Sequence, residues 1–402
     1  MTDPARPLRH RPFRLLWYGY GLSGLGDQLT MFALPLLVLH LTGSATQAGL
    51  VGTVRLVAFT VAQLPAGALA DRCPRRLVMI AADAGRAAAM LLVTAAAVGA
   101  LGAPLAVLIV AALLEGPLSA AANAAALAAT PHVVPRAERS AAVALIQAQT
   151  YAVLLAGPLL GSAVFAWQPA LAFLLDAVSF LVSLALLASV RTPLGGGTAA
   201  TRTSLAATVA EGVRYLAGAT GLLLLMLWAA LVNFATAGLS FALVVTLGPG
   251  GAHRLGLASA VAAACGLTGA LLAKGGRDVP VAARVRTVTA AMTALAATTV
   301  LLPGPLTLAV CMAGVALLTP LVTVPVNTLL YARVPDELMG RVQSSLFLVG
   351  ASMYPFAALT AGFLTEHTRL AATTGVFAAL LAAALALTAT PVFRTGTRTL
   401  VN

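Results

Sequence analysis

"LPAGALADRCPRRLVMIAADAGR", residues 64–86, is apolar at both ends and charged in the middle, with Asp71, Arg72, Arg75 and Arg76 inside six residues. Only 9% of the chain is charged, so such a gathering marks a boundary between two apolar segments. The same alternation continues toward both ends. Apolar runs of about 20 residues, the length that crosses a bilayer core, recur from Leu15 to Val392. The 402 residues are 60% hydrophobic with a mean hydropathy of +0.96, whereas soluble domains hold about 45–50% apolar and about 25% charged residues. The sequence therefore predicts an all-α polytopic membrane protein, with no soluble domain large enough to carry an activity of its own.

Breaks at Gly, Pro and polar clusters delimit twelve transmembrane spans: 14–41, 45–70, 77–99, 104–131, 140–166, 169–190, 221–247, 254–273, 284–302, 305–332, 340–365 and 369–391. The connections alternate in charge. One set carries only Arg254 and Arg369, and Arg55 and Arg86 fall inside spans. The other 20 of the 24 basic residues lie in the opposite set: both termini, 71–76, 132–139, 191–214, 274–286 and 333–341. By the positive-inside rule that set is cytoplasmic, as are both termini. The basic start "MTDPARPLRHRPFRLL" resembles a signal-peptide n-region, but the apolar run after it reaches about Leu41 and lacks a small-residue cleavage site. It is expected to stay as the first membrane helix.

The longest cytoplasmic connection, 191–220, opens "RTPLGGGTAATRTS" as a flexible linker. It continues with Leu205, Val209, Val213 and Leu216 on one helical face, which suits a short amphipathic helix at the membrane surface. Two six-helix bundles, 1–190 and 221–402, follow from this division. They echo each other: Val134-Pro135 and Val334-Pro335 precede spans five and eleven, and "GALAD" (67–71) matches "GALLA" (269–273). Repeated six-helix halves are a transporter plan with the substrate site at mid-membrane. The formal net charge of +12 resides in loops between spans and does not indicate nucleic acid. Cys73, Cys265 and Cys311 are scattered, without metal-ligand spacing or an expected disulfide. No nucleotide-binding loop, catalytic triad or cofactor motif points to an enzyme.

Gly67-Ala-Leu-Ala-Asp71-Arg72-Cys73-Pro74-Arg75-Arg76 resembles the loop 2–3 signature of the major facilitator superfamily, G-x-x-x-D-R-x-G-R-R. The opening "FRLLWYGYGLSGLGDQLTMFALPLLVLHLTGSATQAGLVG", with "VPRAER", "FLLDAVSFLVS" and "VPDELMGRV", resembles the branch of macrolide efflux pumps and the enterobactin exporter. The resemblance implies two pseudo-symmetric bundles of six helices. It also implies a cytoplasmic gate in which Asp71 and Arg72 face the start of span eleven near Gly340 and Arg341, with Arg75 and Arg76 anchoring the edge to lipid. This chain departs from the family pattern at three places. Pro74 replaces the second signature Gly, Ala273 stands where the second-half Asp would fall, and span four lacks the Arg that begins the proton-antiport motif. Gly157-Pro158-x-x-Gly161 remains of the antiporter motif in span five, where it reads equally as a proline kink with close packing. Pro355 is a second expected kink, in span eleven.

Ionisable groups at mid-membrane cost about 2.5–3.5 kcal/mol each and usually face a cavity or a partner. Asp27, Arg55 and Glu115 lie near the middles of spans one, two and four and form the expected proton-coupling group. Asp27 is expected to pair with Arg55, while Glu115 has no obvious partner. Asp83 and Arg86, three apart, read as an intrahelical pair, and Asp176 as packing. A substrate cavity is expected from Trp228, Asn233, Phe234 and Phe241 in span seven and Gln343, Phe347 and Tyr354 in span eleven. Sparse charge with aromatics suits a lipophilic or weakly cationic small molecule. The function expected is proton-antiport export of a drug or secondary metabolite by a monomer in the bacterial plasma membrane. The alternatives are export of a siderophore or peptide, or lipid flipping.

Overall fold

The computed structural model describes residues 6–195, 220–273, 280–333 and 353–390. Twelve α-helices lie among them. They are α1 (Arg11–Thr42), α2 (Ala45–Arg72), α3 (Arg75–Ala97), α4 (Pro104–Val133), α5 (Arg139–Trp167) and α6 (Pro169–Ala188). After the linker come α7 (Thr220–Leu247), α8 (Ala252–Leu272), α9 (Val281–Leu301), α10 (Pro305–Arg333), α11 (Tyr354–His367) and α12 (Leu370–Ala389). Ten described helices are long and apolar enough to cross a membrane. In hydrocarbon every backbone group must be bonded within its own segment, which is why the apolar runs become helices.

The chain divides into two compact units: residues 1–43, 50–202 and 248–256 form one, and residues 44–49, 203–247 and 257–402 the other. In the first unit α1 packs on α6 and α5, and α3 on α4 and α6. In the second, α9 packs on α12 and α10, and α7 on α11 and α12. The exchange of two short segments, 44–49 and 248–256, was not expected from the sequence. The amphipathic segment 205–216 and the gate residues Gly340 and Arg341 lie outside the described residues, as do Gln343 and Phe347. The described cysteines are free thiols.

Two turns carry the charges that opened the sequence. α2 ends at Arg72 and α3 starts at Arg75, so only Cys73 and Pro74 separate them. Arg75 donates to the carbonyls of Ala70, Ala128 and Leu194 at 2.9–3.2 Å. Arg76 donates to the carbonyls of Leu187 and Ala188. Those last two close α6, whose final carbonyls have no intrahelical partner. Asp71 is 56% exposed and faces Arg75 at 3.7 Å.

Pro355 sits in the first turn of α11 as described, where a missing N–H costs nothing; residues 334–352, where span eleven is expected to begin, lie outside the described residues. α5 is one helix through Pro158. Gly157 and Gly161 press on α1: a Cβ on Gly157 would collide with Gln28, and one on Gly161 would stand 3.3 Å from the Cα of Leu29. Close packing is therefore the role the structure gives this motif.

Candidate functional site

The first unit buries a six-membered cluster of charged side chains from five helices. Arg86 on α3 is its hub. Its Nη2 donates to Asp27 Oδ1 on α1 and, at 3.2 Å, to Glu115 Oε1 on α4. Its Nη1 lies 4.0 Å from Asp83, and its guanidinium carbon sits 4.1 Å from the ring centroid of Phe180 on α6. A desolvated cation over an aromatic face is worth about 2 kcal/mol or more. Arg55 on α2 donates through Nε to Glu115 Oε2.

Two expected pairings are corrected here. Asp27 pairs with Arg86, not Arg55, and Glu115 has two arginine partners instead of none. The pair Asp83–Arg86 exists, yet it is the longest of the three carboxyl contacts that Arg86 makes. Arg86 was missed as a site residue because spacing of three on a helix offered a local explanation. Gly116 shows how the sequence builds the contact. A Cβ there would stand 2.6 Å from the Arg55 carbonyl and 2.7 Å from the Phe59 nitrogen. Only glycine lets α2 approach α4 this closely, and that approach brings Arg55 to Glu115.

Asp176 on α6 is the sixth member and not merely a packing residue. It is 1% exposed. It accepts a hydrogen bond from the Thr30 hydroxyl and one from Ser179, and it acts electrostatically on Arg86 and Asp27. Asp83, Arg86 and Glu115 are also buried, while Asp27 keeps 28% of its side chain exposed. Four carboxyls thus face two guanidiniums. Buried charge without a partner is costly, and with every carboxyl ionised the cluster would carry a formal excess of two negative charges.

The cluster borders a cavity of about 230 Å3 lined by Tyr20, Asp27, Gln28, Asp83, Arg86 and Gln149, among others. A second cavity of about 250 Å3, lined by Phe13, Trp17, Thr130 and Ile146, shares Tyr20, Asn123 and Gln149 with the first. Together they run from the beginning of α1 to the charge cluster.

Of the residues expected to form the aromatic cavity of the second unit, Gln343 and Phe347 lie outside the described residues. Trp228 is buried and donates its indole N–H to Thr289 at 2.9 Å. Phe234 packs on Phe377 with ring centroids 6.2 Å apart, and Phe241 is core. Asn233 and Tyr354 are exposed. Trp228 and Phe234 thus tie neighbouring helices together.

A family model described as "Major Facilitator Superfamily" matches residues 16–358. No curated protein sequence matches the chain. Among solved structures, the nucleoside transporter NupG is similar with a TM-score of 0.73 at 10% identity, covering 94% of this chain and 98% of that one. A bacterial homologue of the iron transporter ferroportin, inward-facing, gives 0.71 at 16% identity and covers 96% and 98%. A bacterial homologue of the human lysosomal transporter Spinster, inward-facing and unoccupied, gives 0.69 at 17% identity and covers 98% of each chain. At such identities the likeness concerns the fold.

Proposed function

The chain belongs to the Major Facilitator Superfamily, and from that premise we propose that it is a proton-coupled antiporter exporting a hydrophobic or amphipathic small molecule. It works by alternating access in the bacterial plasma membrane, with both termini in the cytoplasm. The observation that carries this reading is the excess of carboxyls in the Arg86 cluster. A group of four acids and two arginines, sealed among helices, changes its proton content when water reaches it and when it is closed off again. Asp27 is the member most open to the cavity and is the natural entry point. Glu115 is held by both arginines, so protonating it frees Arg55 and Arg86 to move toward the remaining acids.

Coupling of this kind does not need an Arg in span four, because Arg86 of α3 and Arg55 of α2 supply the cations. On this reading the departure from the family's proton-antiport motif leaves the cluster with the two cations it needs. The test is proton release. Purified protein in weakly buffered detergent with a pH-sensitive dye is mixed with compounds whose cellular accumulation it lowers. Release of protons on binding is expected, and it should vanish in Asp27→Asn. Binding without proton release in the unaltered protein would overturn the antiport reading.

A further inference from the structure

We infer that Asp176 is a neutral carboxylic acid that keeps its proton, and that its O–H, relayed through the Thr30 hydroxyl, holds α6, α1 and α3 where Asp27 meets Arg86. The inference goes beyond the antiport reading and does not rest on it.

Three observations meet at this side chain. The first is its isolation. Asp176 is 1% exposed, and a Cβ on Gly26 would collide with its Oδ1, so α1 closes over that oxygen. The charged groups around it are Asp27 on α1, Arg86 on α3 and Glu115 on α4. Arg86 gives its Nη2 to Asp27 and Glu115, and Arg55 bonds Glu115. Among the described residues no cation is left to pair with Asp176. The second is a shortage of donors, because an ionised carboxylate offers about four lone-pair sites. Ser179 has one hydroxyl hydrogen, and its oxygen lies 2.7 Å from the Asp176 carbonyl against 3.3 Å from Oδ1. That hydrogen therefore goes to the backbone. Thr30 would be the one donor left to a buried anion, and a carboxylate sealed from water without pairing takes up a proton instead.

The third observation is the position of Thr30. Its Oγ1 lies within hydrogen-bond distance of Asp176 Oδ2 and, at 3.5 Å, of Met90 Sδ on α3. A hydroxyl has one hydrogen and two lone pairs, so it cannot donate to both. With Asp176 ionised, the hydrogen goes to Oδ2 and the sulfur receives none. With Asp176 protonated, its O–H donates to Thr30, Thr30 donates to Met90, and both contacts carry a hydrogen. Thr30 follows Asp27 by three residues on α1, and Met90 follows Arg86 by four on α3, about one helical turn in each case. The relay thus runs one turn from the Asp27–Arg86 bond and sets how closely α1 and α3 approach there. Asp176 is a positioning residue. One of the two excess negative charges is absent, and Asp27, Asp83 and Glu115 remain to exchange protons.

The test is infrared absorption of the purified full-length protein in detergent at about pH 8, where an ordinary aspartate is ionised. The C=O stretch of a protonated carboxyl is separate from the bands of a carboxylate. Asp176→Asn should remove a protonated-carboxyl band, and loss of carboxylate absorption instead overturns the inference. Thr30→Val removes the acceptor of the relay and should move the same band to higher frequency; a band that stays in place overturns the relay. Melting curves separate the donor from its bulk. Asp176→Asn keeps a neutral donor for Thr30 and should melt close to the unaltered protein, whereas Asp176→Leu should melt clearly lower. Equal losses in the two variants overturn the donor role, and so does an Asp176→Asn chain that fails to fold; the spectrum of Thr30→Val then still reports on the band. None of these measurements needs a substrate or a gradient. An ionised Asp176 sinks only this inference, and efflux that ignores a pH gradient sinks only the antiport reading.

Discussion

Arg86 carries more of the first unit than any other single residue. It bonds two carboxylates, stands beside a third and covers Phe180. Removing one partner from a buried ionic group costs about 3–5 kcal/mol, because the others are stranded. Arg86→Met should therefore lower thermal stability far more than Arg55→Met, since Arg55 serves Glu115 alone. Combining Arg86→Met with Asp27→Asn should restore part of the loss. An Arg86→Met variant as stable as the unaltered protein would contradict the hub. The sequence singled out Asp27, Arg55 and Glu115 by counting along the spans, and the structure brings all three into one cluster. The sequence could not pair them. The helices are apolar on every side, so no periodicity says which neighbour Asp27 meets, and the nearby Asp83 masked the reach of Arg86. Gln28 and Gln149 carried no signal, because an uncharged amide in an apolar run looks like a tolerated polar residue.

Helices meet in this fold where small residues remove the side chain between them. Gly116→Ala would force α2 from α4 or strain both. About 1–3 kcal/mol of destabilisation is expected, together with a loosened Arg55–Glu115 contact. Equal thermal stability of the variant would show that the approach is not tight. The start of α2 is held differently. Glu366, one residue past the eleventh span, accepts the Thr46 N–H at 2.7 Å and the Ser44 hydroxyl at 2.8 Å. The Thr46 backbone N–H, helped by the Ser44 hydroxyl, holds the Glu366 carboxyl below the usual carboxylate range. A depressed value means the stabilisation is complete above the ordinary carboxylate value and is lost as pH falls through the lower folded one. Glu366→Gln should thus melt lower than the unaltered protein at about pH 7, with the gap closing as pH falls below the ordinary carboxylate range. A gap independent of pH would contradict the ionised cap. Helix ends of this kind were only partly legible. Arg75 and Arg76 were visible as a basic loop, but loop charge reports side of membrane, and the carbonyls they cap become apparent only when α4 and α6 are packed.

For the molecule as a whole, hydropathy sufficed for the membrane helices, because bilayer thickness imposes span length directly. The transfer of 44–49 and 248–256 between units was not legible, since span ends carry no record of what they touch. Orientation remains an expectation of charge asymmetry. Tags at residue 1, at residue 402 and within 195–197 should all be shielded from protease in intact cells, and cleavage of any of them from outside would refute the topology. The central claim is that the Arg86 cluster couples protons to export. It is tested most directly by efflux from proteoliposomes with an imposed pH gradient, comparing the unaltered protein with Glu115→Gln and Asp27→Asn. The account predicts gradient-driven efflux in the unaltered protein and its loss in both variants, with substrate binding by Glu115→Gln kept within about tenfold, or 1.4 kcal/mol. Full response of both variants to the gradient would place coupling outside this cluster and contradict the account.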